Sequence, residues 1–101
     1  MSVRLEHTDG ILRAVLAGEI DHHLAYSLRR TLDDAILREK PSALLLDFSE
    51  VTFMDSSGIG LVMGRYRLMS EQGGETEITG ASPQIRKVMK LAGLDKLARL
   101  N

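Results

Sequence analysis

Six consecutive residues, Asp55-Ser56-Ser57-Gly58-Ile59-Gly60, place a carboxylate, two hydroxyls and two residues without side chains ahead of an apolar stretch. Asp and Ser are helix-capping types. A helix N-terminus exposes unpaired backbone N–H groups and the positive end of the macrodipole, so it favours an anion. A Ser hydroxyl there is exposed, and a phosphoryl group added to it would find donors ready. Gly58 and Gly60 remove side chains from the adjoining turn, which lets another protein's backbone come close. The plainer alternative is that Asp55 and the serines only cap a helix while the glycines only allow tight packing. Local composition does not separate a cap from a phospho-acceptor.

Asp21-His22-His23 is the second cluster. Asp21 is a candidate N-cap, and it shares an edge with the Ser56 loop if both follow strands that point one way. Adjacent histidines at a helix start point in different directions, and neither a Cys nor a third nearby His completes a metal set, so His22 and His23 read as surface or interface residues. His7 reads as a strand residue near the surface. Two enzymatic readings fail on spacing. Gly58-x-Gly60 lacks the third glycine of a dinucleotide fingerprint, where Met63 stands. Ser56 is not in a Gly-x-Ser-x-Gly elbow, because Met54 occupies the place of the first glycine. No paired His and acid can be assigned around it.

The elements that must position these residues follow from periodicity. Val3 and Leu5 alternate with Arg4 and Glu6, Asp9-Gly10 signals a turn, and Ile11 to Ala17 is a second apolar run, so the chain opens with a β-hairpin ended by Gly18. A helix is predicted from Asp21 to about Glu39, with Leu24, Leu28, Leu32, Ala35 and Ile36 on one stripe and Arg29, Arg30, Asp33 and Asp34 off it. Pro41 stops that helix. Ala43 to Phe48 reads as a strand buried on both faces, followed by a loop through Val51, Phe53 and Met54. The next helix is predicted over roughly Ser57 to Gln72, with Ile59, Met63, Tyr66 and Met69 on related turns, and Gly73-Gly74 ends it. Glu75 to Thr79 forms a short strand. Ser82-Pro83 starts a last helix, Gly93 stops it, and Ile85, Val88, Met89 and Ala92 give it a buried face. The order is ββαβαβα: an α/β fold with a mixed sheet, right-handed crossovers and helices packed on it.

Bulk properties narrow the partners. At 101 residues the chain reads as one domain spanning 1–101. Thirteen basic residues are balanced by 14 acidic ones, with no basic run, which argues against nucleic acid. Two Phe, two Tyr and no Trp leave little for base stacking. No cysteine is present, so disulfide and thiolate chemistry are excluded. Charge interrupts the first residues where a leader would be apolar, and no apolar run approaches the roughly 20 residues that cross a bilayer. A soluble, cytoplasmic protein is expected.

Four segments, Gly18-Glu19-Ile20-Asp21-His22-His23, Phe53-Met54-Asp55-Ser56-Ser57-Gly58-Ile59-Gly60-Leu61, Gly64-Arg65-Tyr66 and Ser82-Pro83 through Gly93-Leu94, stand in an order that resembles the anti-sigma factor antagonists of the STAS domain family, the sporulation type above all. The resemblance implies a STAS-type mixed sheet and a non-enzymatic partner switch with no cofactor and no metal. The serine directly after the motif's aspartate is the phosphorylated one in that family, which falls on Ser56. The implied partners are an anti-sigma factor that is itself a nucleotide-binding serine kinase, and a serine phosphatase that reverses it. The unphosphorylated form binds the anti-sigma factor and releases a sigma factor. Carried onto this chain, the partner surface would use Asp21, His22, Met54, Asp55, Ser57, Gly58, Gly60 and Arg65, with Met63 at its border. Family members commonly continue into a further C-terminal helix, a departure at Asn101. Two other readings stand beside this one: a STAS sensor or scaffold binding a small ligand or nucleotide, and an enzyme using Ser56 as nucleophile.

Overall fold

Asp9 and Gly10 both take positive φ, 52° and 79°. The chain therefore reverses in two residues, and β1 (Val3–Thr8) lies antiparallel to β2 (Ile11–Ile20). The computed structural model describes residues 2–101. After β2 come α1 (His22–Glu39), β3 (Ala43–Met54), α2 (Ser56–Glu71), β4 (Glu75–Thr79), α3 (Pro83–Leu91), a 3-10 turn at Leu94–Lys96, and β5 (Arg99–Leu100). The sheet runs β1-β2-β3-β4-β5, with only the first pair antiparallel. The predicted order holds, and the 3-10 turn and the two-residue β5 are additions to it. Residues 99–100 offered too short a run to be read as a strand.

The ends of α1 show why the sequence breaks where it does. Asp21 is extended and its Oδ1 accepts the Leu24 N–H at 3.0 Å. Lys40 takes the left-handed conformation (φ 47°), donating its N–H to the Ile36 carbonyl, and Pro41 follows. The predicted stripe is the buried one, with Leu28, Leu32, Ala35 and Ile36 nearly inaccessible, joined by Ala25, while Leu24 is half-buried.

β3 differs from expectation. Its residues 49–54, read above as a loop, complete a twelve-residue strand. The parallel register with β2 slips twice, between Val15↔Asp47 and Ala17↔Glu50 and again between Gly18↔Val51 and Glu19↔Phe53. Each slip gives β3 one more residue than β2, which destroys the alternation by which a strand is recognised. The first irregularity is secured by Asp47, 5% exposed. Its Oδ1 accepts the Ser49 N–H at 2.9 Å, and its Oδ2 accepts from Arg13 Nη2 at 2.6 Å.

Leu12, Ala14 and Leu16 of β2, Leu44, Leu46 and Phe48 of β3, and Ile78 of β4 form one face of the sheet, buried beneath the helices. The opposite face carries ion pairs: Arg4–Glu50 at 3.0 Å, Arg13–Asp47 at 2.6 Å and Arg13–Glu6 at 3.7 Å. Two helix faces need correction. On α2 the fully buried positions are Gly58, Leu61, Val62, Arg65 and Met69, while Ile59, Met63 and Tyr66 pack only at the margin of the core. Three glycines blur that helix's apolar stripe, and an arginine within it hides the true face. On α3, Ile85 and Met89 are buried, but Val88 is 41% exposed and Ala92 is exposed.

Burial pushes the Asp47 carboxyl up, but hydrogen bonds from Ser49 and the Arg13 guanidinium more than offset it, leaving its pKa below the ordinary carboxylate value. A carboxyl depressed in the folded state stabilises the fold fully above its unfolded pKa of about 4, and that contribution is lost as pH falls through the folded value. Asp47→Asn is therefore expected to lower the urea midpoint at pH 7, with the gap to wild type closing as the pH is taken below about 4. A constant gap across that range would rule out this role for the charge.

Candidate functional site

β2, β3 and β4 are parallel, so the three helices that follow them all begin at one edge of the sheet. There the register ends at Ile20↔Met54, and Asp55 donates its N–H to the Ile20 carbonyl at 3.2 Å. This bond ties the start of α2 to the start of α1. The two residues that follow the ladder, Asp21 and Asp55, are both extended N-caps. Asp55 Oδ1 accepts the Ser57 N–H at 2.8 Å. Ser56 is the first residue of α2 and is exposed, with Asp55 on one side and the cap of α1 across the edge. His22 and His23 are exposed, and their rings stand edge to face at 6.3 Å.

The structure thus brings Asp21, His22, Asp55, Ser56, Ser57 and Gly60 to one edge. Three other residues carried over by motif turn inward. Met54 is 8% exposed, and it lies on Gly58: a Cβ at position 58 would stand 2.1 Å from Met54 Cγ and 2.4 Å from its Sδ. Gly58 is a glycine because its own chain fills the space, not because a partner does. Gly60 is the reverse case, with no atom within 4 Å of a Cβ built on it. Arg65 is 5% exposed and sits between α1 and α2, its Nε 2.8 Å from Asp33 Oδ1. Burial lowers the Arg65 pKa, Asp33 opposes that and Arg29 adds to it. A guanidinium in that position packs two helices together and presents little surface to a partner.

Sequence reasoning placed Asp33 and Arg29 off the buried stripe of α1 and attached no role to them. Asp33 joins α1 to α2 through Arg65, and Arg29 lines the hollow that the two helices share beside the Ser56 edge. A cavity of about 250 Å³ there is lined by His22, Tyr26, Arg29, Ser57 and Gly60, among others. Arg29 lies over the Tyr26 ring, 5.9 Å from its centroid. The pairing of Asp33 with a residue 32 positions later leaves no signal in either helix's own periodicity.

A family model described as the STAS domain matches residues 2–101. The chain belongs to the STAS domain family. Among its relatives, an anti-sigma F factor antagonist of Paenibacillus polymyxa is 35% identical over 97 residues, covering 96% of this chain and 83% of that protein. The structure of the anti-sigma factor antagonist SpoIIAA in its unphosphorylated form superposes with a TM-score of 0.85 at 34% identity, covering 98% of this chain and 87% of the other. SpoIIAA from Bacillus in its phosphorylated form superposes at 0.78, also at 34% identity, over 98% and 90%. The STAS fold found here is that of the anti-sigma factor antagonists, with the mixed sheet and helix order read from the sequence.

The two motif glycines make opposite demands. Gly58→Ala forces Met54 from its place and is expected to cost about 1–3 kcal/mol in urea unfolding. Pairing it with Met54→Ala makes the two changes strongly non-additive, because the second vacates the space that the first needs. Gly60→Ala meets nothing and is expected to stabilise by up to about 1 kcal/mol through helix propensity.

Proposed function

We propose that this STAS protein is an anti-sigma factor antagonist that works as a phosphorylation-controlled binding switch. Unphosphorylated, it binds an anti-sigma factor that is a serine kinase carrying a nucleotide, and so frees a sigma factor. Phosphorylation of Ser56 by that kinase turns it off, and a serine phosphatase restores it. The observation that carries this reading is the exposed Ser56 hydroxyl on the first turn of α2, at an edge where two capping carboxylates converge. The names of the relatives support the partner class, and a relative solved in both phosphorylation states supports a modification that leaves the fold in place.

The energetics give the switch its direction. A phosphoserine carries about −1.5 to −2 charges at neutral pH. On the first turn of α2 it lies at the positive end of the macrodipole, a stabilisation of about 1 kcal/mol and up to about 2 in a favourable site, although Asp55 already occupies the Ser57 N–H. In a complex the same group would be desolvated close to Asp21 and Asp55. An uncompensated buried charge costs roughly 3–5 kcal/mol, which corresponds to a loss of affinity of more than about a hundredfold. Binding is therefore blocked where the phosphate sits, while the sheet beneath is untouched. Asp21, His22, Asp55, Ser57 and Gly60 form the surface that meets the partner. The activity is one of binding, with no turnover of its own.

Incubation with the cognate anti-sigma kinase and ATP, followed by intact-mass measurement and peptide mapping, is expected to show one phosphate on Ser56. Ser56→Ala abolishes it and keeps binding, whereas Ser57→Ala is still modified. The circular dichroism of the phosphorylated form matches that of the unmodified one. Phosphate found on Ser57 alone, or none with a kinase proven active on another antagonist, would defeat the proposal.

A further inference from the structure

The hollow beside Ser57 does not end at Gly60. A second, of about 500 Å³, continues it along α2 and shares Arg29 and Gly60 with the first. Together they form an open groove between α1 and α2 that begins at His22 and Ser57 and runs past Gly64 to Glu71. Its floor is bare. Gly60 and Gly64 lie one helical turn apart, about 6 Å along the axis, and a Cβ built on either meets no atom within 4 Å.

Two guanidinium groups border this floor. Arg65 has a side chain only 6% exposed, yet among the described residues its Nη1 has no hydrogen-bond partner. Its one close carboxylate, Asp33, is approached through Nε. Arg29, exposed and set over Tyr26, is near enough to act on Arg65 as a like charge. Asp33 pairs with Arg65 alone among the described residues, while Arg29 and Arg67 also line the groove and Glu71 stands at its far end, so the middle of the groove is positive. Arg29 is the exposed guanidinium of the pair and the buried Arg65 adds its field, so the groove favours an arriving carboxylate.

We infer that this groove receives an acidic segment of the anti-sigma factor, its backbone laid over Gly60 and Gly64 and a carboxylate held by Arg29 in the positive field of Arg65. The inference rests on the antagonist reading above and adds to it the chemistry of the partner. A peptide fits better than a free anion because the groove is open and elongated, and because the two bare glycines matter only to something that runs along the helix for a full turn. The segment would reach the Ser56 edge directly, since Ser57 and Gly60 line the same hollow as Arg29.

The test is calorimetric titration of the purified anti-sigma factor into the full chain. Arg29→Glu is expected to weaken binding by roughly tenfold or more, with Arg29→Lys close to wild type, and Arg29→Gln to flatten the dependence of Kd on salt. Gly64→Leu fills the groove and is expected to weaken binding by about tenfold while melting no lower than wild type, because leucine is the better helix former. Wild-type affinity in both Arg29→Glu and Gly64→Leu, with wild type bound and phosphorylated on Ser56, would overturn the groove and leave the switch standing. A wild-type chain that neither binds the anti-sigma factor nor accepts phosphate would overturn both.

Discussion

The hydrogen bond from the Asp55 N–H to the Ile20 carbonyl closes the parallel ladder of β2 and β3 at the edge where Ser56 stands. The proposed site is arranged around this closure. Parallel strands end together, and the helices that follow them start together. Each helix needs a cap, and here two of the caps are aspartates set on neighbouring strands. The site is thus a by-product of the connection rule that puts successive right-handed crossovers on one side of a sheet. The serine at the head of α2 inherits both the positive end of its own helix and the negative charge of the surrounding caps.

The ladder reaches that edge only because β3 carries two extra residues, and the first of them is held far from Ser56. Asp47 accepts the Ser49 N–H and is itself gripped by Arg13. The opposite face of the sheet is buried under apolar side chains. A new charge at the edge therefore meets solvent and helix termini and does not reach the core. That separation would let the proposed modification act at the edge without disturbing the fold, in keeping with the superposition of this chain on SpoIIAA in both states.

Much of this was legible in the residues. The caps at Asp21 and Ser82, the left-handed turn at Asp9-Gly10 and the stop at Pro41 are local chemistry, and each is found where it was expected. The helix start at 56 was placed within a residue, though three capping types in a row concealed that Asp55 is the cap. Long-range geometry was not legible. No pattern within residues 49–54 announces a strand whose register slips twice against β2. The resemblance puts Arg65 on the partner surface, whereas it is buried against Asp33 of another helix. Met54 and Gly58 were both assigned outward by motif, and their mutual packing is visible only once the turn between them is built.

Gly58 and Gly60 stand two positions apart in one motif and are constrained by different agents. Position 58 is constrained by the chain itself, so any lineage that keeps this turn and a large residue at 54 must keep the glycine, whatever it binds. Nothing in the chain constrains position 60, where drift toward alanine or larger residues would improve the helix. A demand for glycine there would have to come from outside the chain. On the binding surface proposed above, a lineage that acquires a side chain at 60 while holding glycine at 58 would keep the architecture while changing what its edge can receive, so the pair separates the demands of the fold from those of a partner.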